Sequence, residues 1–264
     1  MKIGFIGCGN MASAIIGGIL KQKLVTSEDI MASDLSEDGR KAKAEQFGIT
    51  VTGDNKMAAS YADVLFLAVK PQFYESVICE IRDVVTSEQL IVTIAPGKTL
   101  SWLESIFNKE VKIVRCMPNT PALVGAGMTA AVPNKNVNAD ELKTVLSILE
   151  SFGKAEVVSE HLMDAVVSVS GSSPAYVYML IEAMADAAVA DGMARPQAYQ
   201  FAAQAVMGSA KMVLETGMHP GALKDMVCSP GGTTIEAVRV LEKEGFRSSV
   251  MEAMRACTDK AKNM

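Results

Sequence analysis

The sequence is poor in residues that build metal clusters and disulfide frameworks. It has two histidines and five cysteines, and the cysteines are scattered, odd in number and never spaced as C-x-x-C. It contains no H-E-x-x-H and no G-x-S-x-G motif, so metal-dependent and serine hydrolysis have little support. We therefore predict no bound metal and a reducing compartment.

The chain also lacks an excess of positive charge and a visible targeting segment. Lys and Arg total 25 against 30 Asp and Glu, a formal net charge of −5, which argues against nucleic acid as a partner. A strand-like segment follows Met1 at once, so we expect no signal or transit peptide and a cytoplasmic protein. The 264 residues, 49% of them hydrophobic, suffice for one large or two ordinary globular domains.

The N-terminal segment Lys2–Ala12 carries a dinucleotide-binding motif. It reads as a short buried strand, a glycine turn and the start of a helix, in the pattern G-x-G-x-x-A. Gly7 makes the tight turn, Gly9 lets the backbone approach a pyrophosphate, and Ala12 suits the close contact between helix and strand. The N–H groups and positive dipole end of the helix attract phosphates. This context, strand before and helix after, predicts a Rossmann-type domain.

Asp34 leaves the choice of dinucleotide open. It follows the predicted second strand, Ile30–Ser33, about 20 residues after the glycine turn, where an acid hydrogen-bonds the ribose 2′-hydroxyl of NAD. Side chains close by can instead hold the additional phosphate of NADP; they are Ser33, Ser36, Arg40 and Lys41. A third interpretation makes Asp34 the cap of a helix over residues 36–47.

Three more apolar segments, residues 63–69, 90–94 and 111–115, are typical of parallel strands buried on both faces. They end in Lys70-Pro71, in Ala95-Pro96-Gly97 and in Cys116–Pro121. Because ligands bind at the carboxyl ends of strands in open α/β sheets, these ends predict one wall of a cofactor cleft. Plain loop residues are the alternative. Further strands are predicted at residues 48–52, 125–132 and 154–159, with a helix at 140–151.

From Glu160 onward the strand signals stop and long helical patterns begin. Residues 174–190 are apolar nearly all round, and the carboxylates of Glu182 and Asp186 argue against a membrane span. A helix that is apolar on every side must be buried, and a domain of about 100 residues leaves a second subunit as its cover. We therefore predict an all-helical C-terminal domain that dimerises.

A second glycine turn lies at Ser229–Glu236, Ser-Pro-Gly-Gly-Thr-Thr-Ile-Glu. Thr233 and Glu236 fit the capping box S/T-x-x-E, which predicts a helix start there. The remaining N–H groups of the turn can hold a substrate carboxylate through the backbone and the helix dipole, without an arginine. A simple loop-to-helix connection is the alternative. The two histidines, His161 and His219, are predicted to be structural.

Six blocks of the sequence resemble the pyrroline-5-carboxylate reductase family over essentially the whole chain. They are Phe5–Met11, Ala68–Gln72, Arg115–Pro121, Ser170–Tyr176, His219–Asp225 and Ser229–Thr234. The last block is that family's signature. The resemblance implies reduction of the cyclic imine L-1-pyrroline-5-carboxylate to L-proline by hydride from NAD(P)H, the last step of proline biosynthesis, with NADPH slightly favoured over NADH.

The resemblance also implies an architecture. Residues 1–159 would form a doubly wound Rossmann-type domain of the α/β class. Residues 160–264 would form an all-α domain for dimerisation and substrate binding. The homodimer would assemble further, commonly into a decamer.

Site residues follow from the same resemblance. The implied cofactor contacts are Ile6, Gly7, Cys8, Gly9, Asn10, Met11, Ser33, Asp34, Asn55, Ala68, Val69, Lys70, Pro71, Ala95, Pro96 and Gly97. The implied substrate contacts are Glu160, Ser229, Gly231, Gly232, Thr233 and Thr234, with Ser229 and Gly231–Thr234 supplied by the C-terminal domain of either the same or the partner subunit. We assign Thr234 the hydrogen bond that orients the ring nitrogen of the imine. The chain departs from the family pattern at Asp34, where some NADP-using members have serine, and also at Pro96 and Ser173.

Two other functions fit parts of the sequence. A β-hydroxyacid dehydrogenase has a related architecture but uses a lysine of its helical domain, and Lys211 and Lys224 do not lie in that family's motif. A non-catalytic dinucleotide sensor would keep the glycine turn but would have no use for a carboxylate site at Ser229–Thr234.

Overall fold

The computed structural model describes residues 1–263, which form two compact units. The first unit runs from Met1 to Ser172 and includes the chain from Cys257 onward, and the second is Ser173–Ala256. The predicted boundary between residues 159 and 160 separates a cofactor-binding domain from a substrate-binding domain. It stays a prediction, because the division into compact units does not say what each part binds.

One eight-stranded sheet forms the centre of the first unit, in the spatial order β3-β2-β1-β4-β5-β6-β7-β8. All neighbouring strands are parallel except β6 and β7, which are antiparallel. The first six strands, β1 to β6, thus lie in the spatial order 3-2-1-4-5-6 of the Rossmann fold. This order confirms the predicted fold class. The strands are β1 (Ile3–Ile6), β2 (Ile30–Ser33), β3 (Thr50–Thr52), β4 (Val64–Leu67), β5 (Leu90–Thr93), β6 (Lys112–Met117), β7 (Gly127–Pro133) and β8 (Gly153–Val157).

Six α-helices connect these strands or precede the next one, and a seventh follows β8. The helices are α1 (Asn10–Lys21), α2 (Glu37–Phe47), α3 (Asn55–Tyr61), α4 (Tyr74–Ile81), α5 (Leu100–Phe107), α6 (Ala139–Glu150) and α7 (Met163–Val166). Single 3-10 turns lie at Ser27–Asp29, Pro71–Phe73, Thr120–Val124 and Glu160–Leu162, and a π turn at Val167–Gly171.

Successive residues of the central strands face two separate hydrophobic cores. Phe5 and Phe66 stack with their ring centroids 4.9 Å apart in one core, whereas Leu65 and Leu67 belong to the other. All four are fully buried. Burial on both faces explains the continuous apolar runs in the sequence, which a sheet with one solvated face would not need.

The order of successive strands reverses at β1: β2 and β3 lie on one side of it, and β4, β5 and β6 lie on the other. The last residue of β1, Ile6, lies opposite Ser33 of β2 on one side and Leu67 of β4 on the other. The segments that begin at Gly7, Asp34 and Ala68 therefore leave the same edge of the sheet side by side. In open α/β sheets this switch point is where a crevice for ligands forms.

The second unit is entirely helical between its turns. It holds α8 (Ser173–Ala190), α9 (Arg195–Thr216), α10 (Pro220–Val227), α11 (Thr233–Lys243) and the beginning of α12 (Phe246–Lys262). Large apolar side chains on α8 and α9 face solvent in the single chain; Met179 is 69% and Phe201 62% exposed. Among the helices of residues 1–263, none is both long and apolar enough to cross a membrane.

Candidate active site

The first glycine turn has the geometry that its sequence predicts. Gly7 has φ +98°, and a Cβ there would lie 2.8 Å from the carbonyl oxygen of Ala68, so only glycine fits. A Cβ at Gly9 would meet no atom of the described chain within 4 Å, so the space in front of Gly9 is open. Helix α1 begins directly after Gly9, and no side chain of residues 1–263 caps it. The first N–H groups of α1 are therefore available to an anion.

A cavity of about 420 Å³ opens at the switch point; we call it the switch-point cavity. It brings together eight of the predicted cofactor residues: Gly7, Gly9, Ser33, Asp34, Asn55, Ala68, Val69 and Lys70. The other predicted cofactor residues lie outside its lining: Ile6, Cys8, Asn10, Met11, Pro71, Ala95, Pro96 and Gly97. Ile6 and Ala95 are buried in the core.

Five residues of the cavity wall were missed by the sequence analysis: Leu35, Phe73, Ser76, Val77 and Glu80. Leu35 directly follows Asp34 and is 92% exposed at the mouth of the cavity. Val77 and Glu80 are three residues apart on α4 and therefore share one face. The sequence signal for this part of the cavity is a glutamate three residues after a valine on a predicted helix, so that both side chains lie on the same face.

Asp34 uses both carboxylate oxygens on the local backbone. The N–H of Cys8 donates to Oδ2 and the N–H of Ser36 to Oδ1, each at 2.9 Å. The carboxylate thereby links the glycine turn to the end of β2. The interpretation of Asp34 as the helix cap is wrong, because Ser36 is the N-cap of α2 and accepts a hydrogen bond from Gly39.

Asn55 joins a buried serine to a carboxylate of the cavity. The Ser33 hydroxyl donates to Asn55 Oδ1 at 2.7 Å, and Asn55 Nδ2 donates to Glu80 Oε2 at 2.8 Å. These two bonds fix which end of the amide faces Ser33. Asn55 is the first residue of α3, whose N-cap is Asp54.

Cys8 contributes backbone rather than thiol chemistry. Its side chain is buried and donates to the carbonyl oxygen of Ser33 at 3.6 Å. Burial first, and then the nearby Asp34 carboxylate, raise the pKa of the Cys8 thiol to about 11. The thiol is therefore neutral at physiological pH and is not a nucleophile.

Tyr74 fixes the strand ends beside the cavity. It is fully buried, its hydroxyl donates to the carbonyl oxygen of Leu67, and it accepts from the N–H of Ile94 at 3.1 Å. Burial raises the pKa of Tyr74. One side chain thus holds the carboxyl ends of β4 and β5 together, where the segments Ala68–Pro71 and Ala95–Gly97 begin.

Glu160 lies in a second cavity of about 370 Å³, whose lining includes Gly97, Thr99 and Arg115. Its Oε1 accepts from Arg115 Nη1 at 2.8 Å and from the N–H of Leu100 at 2.7 Å. The Arg115 side chain is 5% exposed and that of Glu160 is 34% exposed. The ion pair ties β6 to the turn at Glu160, and the hydrogen bond from Leu100 ties the start of α5 to it. The neighbouring His161 also lines the cavity.

The second glycine turn belongs to the helical unit. Gly231 has φ +67°, and the N–H of Gly232 donates to the carbonyl oxygen of Ser229 at 3.0 Å. The predicted capping box is wrong: α11 begins at Thr233, Gly232 is its N-cap, and Glu236 pairs with Arg239 at 2.9 Å instead. Since no side chain in the described part of the chain caps α11, its first N–H groups are more available than the sequence suggested.

His219 has a structural role at the helix that precedes this turn. It is the N-cap of α10, and its Nδ1 accepts from the N–H of Gly221 at 3.0 Å. The predicted structural role of this histidine is confirmed.

Comparison with known proteins identifies the family. Residues 160–264 match the family model for pyrroline-5-carboxylate reductase dimerisation, and residues 2–97 match that for NADP oxidoreductase, coenzyme F420-dependent. The pyrroline-5-carboxylate reductase of Escherichia coli (strain K12) is 56% identical over 263 residues, covering 100% of this chain and 98% of that protein. The chain belongs to the pyrroline-5-carboxylate reductase family.

Solved structures of pyrroline-5-carboxylate reductases match the chain over nearly its whole length. That of Coxiella burnetii is 36% identical with a TM-score of 0.92, covering 99% of this chain and 97% of that one. A Plasmodium falciparum pyrroline carboxylate reductase with NADP bound is 35% identical with a TM-score of 0.90, covering 100% and 97%. The resemblance carried by the six sequence blocks is confirmed, and the chain is an oxidoreductase of this family.

Proposed function

We infer that this chain reduces L-1-pyrroline-5-carboxylate to L-proline with a hydride from NADH or NADPH, the last step of proline biosynthesis. The observation that carries this function is the match to pyrroline-5-carboxylate reductases along the whole chain, both units included. The glycine turn of one unit and the Ser229–Thr234 turn of the other supply the two kinds of anion site that a dinucleotide and an amino-acid carboxylate need.

The switch-point cavity fits a dinucleotide. Only glycine fits at Gly7, Gly9 faces open space, and the start of α1 is uncapped, as a pyrophosphate cradle requires. We propose that the cofactor contacts the backbone of Ile6–Met11, the Ser33–Asp34 strand end and Asn55. The segments Ala68–Pro71 and Ala95–Gly97 complete the proposed contacts. When bound, the reduced nicotinamide supplies the hydride.

The substrate carboxylate is proposed to bind at Ser229 and Gly231–Thr234. The uncapped N-terminus of α11 supports this, because its N–H groups and dipole favour a negative charge. Glu160 is proposed to contact the substrate as well, since its carboxylate is one-third exposed at a cavity. The functional boundary at residues 159 and 160 is supported by the dimerisation model, which begins at residue 160.

The chemistry needs positioning more than an enzymatic acid. A protonated cyclic imine is already electrophilic at carbon, so correct placement supplies much of the rate. Thr234 is proposed to hydrogen-bond the ring nitrogen and so to orient the imine. This explains a proposed site built from backbone, hydroxyl and carboxylate groups.

The decisive test is oxidation of NADH and of NADPH by the purified protein with L-1-pyrroline-5-carboxylate. We expect turnover with at least one cofactor and L-proline as the product. Binding of the dinucleotide without turnover would favour the alternative function of a non-catalytic dinucleotide sensor. Turnover of a hydroxyacid instead of the imine would favour the dehydrogenase.

The chain is proposed to form a homodimer that assembles further into a decamer. Its proposed location is the cytoplasm. The apolar side chains that α8 and α9 expose support the dimer, and the scattered, odd set of cysteines supports a reducing compartment. Sedimentation equilibrium at low micromolar concentration should give a mass of twice the 28.0 kDa chain or a multiple of it. A stable monomer would contradict the dimer, and a dimer that does not grow would contradict only the decamer.

A further inference from the structure

The switch-point cavity carries more negative than positive charge. Its charged lining residues within the described chain are the carboxylates of Asp34 and Glu80 and the ammonium of Lys70. Lys70 follows β4, whereas Asp34 follows β2 on the other side of β1. Two carboxylates thus face one ammonium group in the lining, and Glu80 reaches it from α4.

Glu80 is connected to the strand end at Asp34 by two hydrogen bonds. Glu80 Oε2 accepts from Asn55 Nδ2 at 2.8 Å, and Asn55 Oδ1 accepts from the hydroxyl of Ser33 at 2.7 Å. Ser33 immediately precedes Asp34, the position from which an acid reads the ribose 2′-hydroxyl in this fold. Two hydrogen bonds thus link the Glu80 carboxylate to the residue that precedes Asp34, and both carboxylates line the same cavity.

The side chains that could hold a 2′-phosphate have other partners. Arg40 Nη1 donates to the carbonyl oxygens of Asp34 at 2.6 Å and Leu35 at 3.2 Å, and Arg40 does not line the cavity. Lys41 pairs with Glu37 at 2.8 Å on the exposed face of α2. Ser36 caps α2.

We propose that Glu80, together with Asp34, is a specificity-determining residue that makes this chain prefer the nicotinamide cofactor without a 2′-phosphate. The preference rests on the proposed function, because it concerns the same cofactor cleft. A 2′-phosphate would add up to two negative charges to a cavity that already holds two carboxylates, and like charges repel. The structure thus points to NADH, whereas the resemblance to the family slightly favoured NADPH.

The test compares the affinities of two probes that contain no nicotinamide, ADP-ribose and its 2′-phosphate, by titration calorimetry with the full chain. We expect the wild type to bind ADP-ribose at least about tenfold more tightly. Glu80→Gln removes the charge and keeps an oxygen for Asn55. It should lower the ratio of the affinity for ADP-ribose to the affinity for its 2′-phosphate about three- to tenfold. The narrowing should come from tighter binding of the 2′-phosphate probe and should shrink in 0.5 M salt.

Glu75→Gln is the matched control, because Glu75 is exposed on the same helix and does not line the cavity. It should leave the ratio unchanged. Equal or tighter binding of the 2′-phosphate probe by the wild type, or a ratio that Glu80→Gln does not change, would overturn the specificity role alone. Failure of the wild type to bind either probe would overturn the proposed cofactor cleft as well.

Discussion

Replacement of Thr234 by alanine is expected to lower kcat/KM for L-1-pyrroline-5-carboxylate by about 10- to 1,000-fold, the scale of losing one positioned polar contact. Thr234 is the second residue of α11 and is partly exposed, so its hydroxyl is accessible at a turn whose N–H groups are uncapped. On the proposed role, losing the hydroxyl would leave the backbone N–H groups for the carboxylate in place and would let the imine rotate. The loss should therefore appear mainly in kcat, measured by initial rates at saturating cofactor.

Two variants separate orientation from folding. Thr234→Ser keeps the hydroxyl and should retain most of the activity, whereas Thr233→Ala changes the adjacent exposed residue and should have a smaller effect than Thr234→Ala. Unchanged kinetics in Thr234→Ala would remove this residue from the mechanism. Equal losses in all three variants would indicate a distorted turn rather than a lost contact.

The strands and the glycine turn were predictable because their physical causes are local. The run Val64–Leu67 is apolar without alternation since both faces of β4 are buried, and Gly7 is glycine because the carbonyl of Ala68 blocks a side chain. The strand order then places Gly7 and Ala68 together. The fold class and the part of the switch-point cavity formed by Gly7 and Ala68 follow from these features alone.

The parts that could not be predicted depend on contacts distant in sequence. Glu80 meets Asn55 across 25 residues, and Arg115 meets Glu160 across 45. No periodicity in the chain encodes these pairings. The capping box failed for a different reason: Thr233 and Glu236 have the right spacing, but Gly232 takes the cap position one residue earlier. Where a glycine can also end the turn, spacing does not decide which residue is the cap.

The second large effect expected is on stability, at Glu160. Glu160→Ala should lower the free energy of unfolding by about 2–4 kcal/mol, because it leaves the buried Arg115 guanidinium without its partner. The buried Nε of Arg115 has no hydrogen-bond partner among the described residues even in the wild type. The guanidinium therefore depends on Glu160 for the compensation of its charge. The N–H of Leu100 would lose its acceptor as well. Urea unfolding with unchanged m-values would measure the difference.

Removing the charge of Arg115 as well should restore part of that stability. A buried cation without a partner costs more than an apolar side chain of similar length, so Arg115→Met combined with Glu160→Ala should be about 1–2 kcal/mol more stable than Glu160→Ala alone. Glu160→Gln, which keeps an oxygen for Leu100 and Arg115, should fall between the wild type and Glu160→Ala. A double variant less stable than Glu160→Ala would mean that the packing of the arginine stem, and not its charge, stabilises this part of the fold.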